Sequence, residues 1–87
     1  MNYETEVING HECVVRHIFK GEELEVGSRW CGDGKQIVTI DEIKIYPQSD
    51  GSKDLYEVYY SWELGGVKGS HHKDSFSFQC RYSLIVE

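Results

Sequence analysis

Proline is nearly missing from this 87-residue chain, with Pro47 its one example, and no internal repeat or low-complexity linker interrupts it. A single domain follows, too short for a two-domain enzyme, a Rossmann unit with a partner domain or a TIM barrel. No apolar run approaches the roughly 18 residues of a membrane-spanning helix, and no apolar leader with a cleavage site opens the sequence. The cytoplasm is the expected compartment, with no membrane partner. Cysteine is scarce and odd in number: Cys13, Cys31 and Cys80 lie far apart, which is not the pattern of a disulfide framework. Three buried free thiols are expected, with one disulfide plus a lone thiol as the alternative. Positive charge is also in short supply, with 9 Lys and Arg against 15 Asp and Glu for a formal charge of -6. It is scattered singly, whereas phosphate binding favours clustered cations that release counterions. No long segment carries the 3.6-residue periodicity of an amphipathic helix.

Aromatic side chains are plentiful instead: 2 Trp, 6 Tyr and 3 Phe. Each can bury roughly 150 to 250 Å², which strengthens the core of a chain so short that folding covers only about 60% of its surface. Trp30, Trp62, Tyr60 and Phe76 are the expected core fillers. Leu55 to Trp62 alternates strictly, with Tyr56, Val58, Tyr60 and Trp62 on one face and Glu57, Tyr59 and Ser61 on the other, as a half-buried strand does. Ile37 to Tyr46 is a second strand whose phase slips at Asp41-Glu42, because Val38 and Ile40 are even and Ile43 and Ile45 odd. A one-residue slip exchanges faces, so a bulge there would return all four to one core. The polar stretch Gln48 to Asp54 between these strands reads as a long hairpin loop.

Upstream, Thr5 to Ile8, Asn9-Gly10 and His11 to Phe19 form a hairpin signal with a type I′ turn. A strict two-residue register would set Ile8 opposite His11 and Glu6 opposite Cys13, mixing polar with apolar, so a bulge is expected. The stretch Val26 to Trp30, a glycine turn at Gly32-Asp33-Gly34 that leads into the Ile37 strand, and a tight turn at Leu64-Gly65-Gly66-Val67 follow. Asp74 is placed to cap one helical or 3₁₀ turn through its side chain, ahead of a final strand at Leu84-Ile85-Val86.

About five strands with a long hairpin loop, glycine turns and a short turn before the last strand look like an all-β, SH3-like small barrel. Residues 24–87 would form the barrel and residues 1–23 an N-terminal hairpin extension; closing the sheet would remove exposed edges. The order Val26-Gly27 with Trp30, Gly34 with Val38 and Ile40, Val58-Tyr59-Tyr60, then Asp74 with Phe76 and Tyr82, resembles small hypothetical proteins encoded by phages and prophages, over Leu24 to Glu87. That resemblance implies a fold and a genetic context and brings no site residue with it.

His11, Cys13, His17, His71, His72 and Cys80 are zinc-ligand types, but no Cys-x-x-Cys or equivalent spacing joins them, and adjacent His71 and His72 on a strand face opposite ways. No metal or cofactor is expected. No catalytic signature surrounds any cysteine, and Gly32-Asp33-Gly34-Lys35 lacks the length and the following Ser or Thr of a phosphate loop. A non-catalytic binding module is the expected function, with a protein partner engaged through an acidic, tyrosine-bearing surface. Its candidate residues are Glu22, Glu23, Glu25, Tyr46, Tyr59, His71, His72 and Lys73. The alternative is a nucleic-acid-associated barrel using Lys68, Lys73, Arg81 and the two histidines beside exposed aromatics.

Overall fold

The computed structural model describes residues 3–32 and 36–87. The expected turn at Gly32-Asp33-Gly34, like its phosphate-loop alternative ending at Lys35, therefore lies outside the described residues beyond Gly32. The described residues form strands β1 (Thr5–Ile8), β2 (His11–Val14), β3 (Arg29–Gly32), β4 (Ile37–Tyr46), β5 (Leu55–Leu64), β6 (Val67–Asp74) and β7 (Tyr82–Leu84), with a 3₁₀ turn at Gly21–Glu23 and one short helix, α1 (Ser75–Arg81). The all-β expectation holds. The larger sheet is antiparallel in the order β6-β5-β4-β3-β7, and β1 and β2 pair separately. Among the described residues no ladder joins β6 to β7, so closure into a barrel is not part of the observed hydrogen bonding.

Local chemistry accounts for these elements. Asn9 and Gly10 take φ of 51° and 85°, the two positive values a type I′ hairpin turn requires, and glycine meets the second without strain. The register is the strict one, Ile8 with His11 and Glu6 with Cys13, and the expected bulge does not occur. Cys13 and Val14 are both buried, so β2 has apolar surroundings on both sides and the mixed pairing needs no correction. The strand also ends at Val14, well short of Phe19; Arg16 turns the backbone to φ 56° and its guanidinium pairs with Glu4 and Glu6. Within the stretch Val26 to Trp30 the strand begins only at Arg29, and Val26 is exposed.

The phase slip in β4 is a register shift between Ile40 and Glu42 against β5. Beyond it Ile43 packs on the core, but Ile45 is 52% exposed, contrary to expectation. Ten-residue strands carry the β4–β5 hairpin past the elements that cover the core. That main core comprises Val14, Phe19, Leu24, Trp30, Val38, Ile40, Val58, Tyr60 and Phe78. Phe78, from α1, fills the place expected for Phe76, which is 60% exposed, while Trp62 is only partly buried. Gln79 fastens the helix to the chain before the 3₁₀ turn, accepting from the Phe19 amide at 2.7 Å and donating to the Phe19 carbonyl at 3.0 Å.

A second, smaller cluster joins Cys13, Cys31 and Ile85, with Ile8 and Ile37 against it. Strand alternation turns Cys31 and Ile37 away from Trp30 and Val38, so this cluster lies on the opposite face of the sheet. Ile85 continues β7 as a bridge to Cys13, and the Val86 amide donates to Glu12 O at 2.8 Å. The hairpin thus covers the β7 margin of the sheet. Cys13 and Cys31 are buried free thiols, but Cys80 is exposed on α1, correcting the expectation that all three are interior.

Candidate binding face

Residues paired across β4, β5 and β6 share a face, and the pairs Glu42–Tyr59, Lys44–Glu57, Tyr46–Leu55, Tyr59–His72 and Glu57–Asp74 define the one turned away from the main core. Its centre is Tyr59. The His72 ring stacks on it at 5.1 Å and 24° from the β6 side, and the Lys44 ammonium sits 4.8 Å from its centroid from the β4 side, a cation–π contact worth roughly 0.5 to 1 kcal/mol at an exposed site. Glu57 ties the assembly together, with its Oε1 3.0 Å from His72 Nδ1. The same carboxylate is the chief cause holding the Tyr59 phenol well above its ordinary pKa, followed by desolvation and the neighbouring Tyr46 hydroxyl. The phenol is accordingly a neutral hydrogen-bond donor at physiological pH. Side chains that fix one another in this way lose less freedom when a partner arrives.

The bulge adds a recess to this face. Asp41, the extra residue in β4, lines a hollow of about 430 Å³ with Tyr59, Tyr60, Ser70, His71 and His72. The two histidine rings lie 5.6 Å apart, with His71 edge-on to Tyr60 on the core side. Burial and the neighbouring Tyr82 push the Tyr60 phenol up to about 12, leaving it neutral behind the recess.

Of the residues singled out from sequence, Tyr46, Tyr59 and His72 come together on the outer face, and His71 joins the last two at the recess. Lys73 pairs with Val58 and therefore points to the core side of β6. The glutamates gather elsewhere. Glu22 lines a hollow of about 540 Å³ with Lys20, Lys53 and Tyr56, whereas Glu23 and Glu25 border another, of about 300 Å³, beside Trp30. Glu23 has a structural task there, accepting from the Lys20 amide at 2.7 Å in a capping arrangement at the 3₁₀ turn. The basic set of the nucleic-acid alternative is likewise divided, with Lys68 and His72 on the outer face, His71 and Lys73 on the inner one and Arg81 at the end of α1.

Sequence reasoning passed over Lys44, Glu57 and Asp41 as members of one site. Glu57 could have been placed beside Tyr59 from the period of two in β5; Lys44 required the cross-strand register, which the bulge decides. Among the described residues no group of three or more His, Cys, Asp or Glu is gathered as a metal site would need, and no helix is long and apolar enough to cross a membrane. Compared with known protein families, curated proteins and solved structures, the chain matches none.

Proposed function

We propose that this chain is a non-catalytic binding module that docks on a protein partner through the outer face of β4, β5 and β6, with Tyr59 and His72 at the centre of contact. The observation that carries the reading is the pre-assembled group of Lys44, Tyr59, His72 and Glu57. Tyrosine is enriched in the centres of protein interfaces because it offers a large apolar area with a polar tip. A nucleic-acid ligand is disfavoured at the same place, since Glu42, Glu57 and Asp74 lie among the few cations of that face and would repel phosphate. The SH3-like reading of residues 24–87 belongs to this proposal. It is supported by the long loop between β4 and β5, the glycine turn between β5 and β6, the short helix ahead of β7, and the pairing of β7 with β3. A role as a phage or prophage accessory protein in the cytoplasm rests on the sequence resemblance alone.

The test compares immobilised variants in the lysate of the source cell. Wild type and Glu22→Lys should recover one protein in stoichiometric yield, and Tyr59→Ala combined with His72→Ala should lower recovery at least about tenfold while leaving the circular dichroism melt close to wild type. Equal recovery by the folded double variant removes the proposed face. A gel shift with oligonucleotides at low salt would favour the nucleic-acid alternative.

A further inference from the structure

The docking face leaves one pair of reactive groups unused. Cys13 in β2 is 0% exposed and Cys31 in β3 is 3% exposed, and both belong to the small cluster between the hairpin and the sheet. Both side chains pack into that one cluster at the Ile8–His11 turn of the hairpin. The surroundings hold them there: the Cys13 thiol donates to the His11 carbonyl at 3.4 Å, that of Cys31 to Ile8 O at 3.9 Å, and Asn9 Nδ2 donates to the Cys31 sulfur at 3.8 Å. The two residues come from elements remote in sequence, and the strand pairing of Cys13 with Ile85 and of Cys31 with Ser83 seats both on the same seam.

We propose that Cys13 and Cys31 are a disulfide modification site, oxidised by a small-molecule disulfide and reduced by small thiols, whose bond fastens the N-terminal hairpin to the β3–β7 part of the sheet. In the forward direction one cysteine loses its proton, and its thiolate attacks one sulfur of the small disulfide and expels the other half as a thiolate. The second cysteine then loses its proton and attacks the protein-bound sulfur of this mixed disulfide, expelling the remaining half. Two electrons and two protons leave the protein, and one small disulfide becomes two small thiols. Burial and the neighbouring Cys31 raise the Cys13 pKa, so the thiolate is scarce while the hairpin is seated and the exchange proceeds when it lifts. Once formed, the bond closes the chain between residues 13 and 31 and removes freedom from the unfolded state.

The test uses the full chain carrying Cys80→Ser, which removes the exposed thiol. It is equilibrated in glutathione buffers rich in glutathione disulfide, once under native conditions after refolding and once in denaturant, so that access to the thiols limits neither measurement. The native sample should be two hydrogen atoms lighter by mass spectrometry, with the tryptic peptides holding Cys13 and Cys31 joined. Its linked fraction should exceed that in denaturant at least about tenfold, and its Tm should rise by about 5 to 10 °C, returning on reduction. Cys13→Ser in the same background should show no Tm response. Free thiols or glutathione adducts predominating in the native sample, or a linked form that melts below the reduced one, would overturn the assignment.

Discussion

At the scale of single residues, close approach between backbone and ring is the feature most open to test. A Cβ added to Gly32 would fall on the Tyr82 ring, and one added to Gly69 on the Trp62 ring, each far closer than van der Waals contact permits. The outcomes should differ because the rings differ in freedom. Tyr82 is stacked on Phe78 at 4.9 Å and lies edge-on to Tyr60 at 5.4 Å, whereas Trp62, on a strand next to the sheet margin, is only partly buried. Gly32→Ala is expected to lower stability by about 1 to 3 kcal/mol through overpacking. Gly69→Ala should come out near neutral, because the lost unfolded-state entropy offsets a small ring movement. Urea titrations of both variants decide, and a reversed order would show that the Tyr82 cluster is softer than its packing implies. Phe76 and Cys80 show why residue-level reading failed locally. Treated as part of a strand, Phe76 and Phe78 share a face; in a helix, two positions correspond to about 200° of rotation, so Phe78 turns inward and Phe76 and Cys80 turn out.

The elements were legible where a side chain or a period fixes the backbone by itself. Asn9-Gly10 announces its turn, the change of phase announces the bulge, and Asp74 announces the helix it caps by accepting from the Ser77 amide at 3.1 Å. Ile45 and the N-terminal register were not legible, since both depend on what lies opposite them in space. The cap yields a prediction with a sign. Hydrogen bonds from the Ser77 hydroxyl and amide lower the Asp74 pKa, so its contribution is complete above the unfolded-state pKa and is lost as pH falls through the lower folded one. Asp74→Ala should cost about 1 kcal/mol at neutral pH, and the gap from wild type should shrink in acid. Asp74→Asn, which keeps the acceptor, should restore most of the stability without that acid dependence. Thermal melts from neutral pH into acid check this, and a gap that stays constant would assign the loss to something other than the cap.

The molecule as a whole is held along a seam where the last residues meet the first hairpin. The Ile85 amide donates to Arg29 O at 3.0 Å, that of Val86 donates to Glu12 O at 2.8 Å, and Glu87 pairs with Arg29. Removing Ile85 to Glu87 should strip hydrogen-exchange protection from the amides of residues 11–14 while β4 and β5 remain protected; uniform loss would mean that the hairpin and sheet unfold as one unit. This seam, and the choice of the β4–β6 face over the glutamates near residue 22 as the candidate site, could not be read from composition, because each arises from contacts between segments far apart in the chain. Their arrangement also dictates an order of events during synthesis. The hairpin, whose Asn9-Gly10 turn is purely local, leaves the ribosome well before the segment that fastens it. It therefore waits unsecured until Ile85 and Val86 emerge, since a contact between segments so far apart in the chain cannot form earlier.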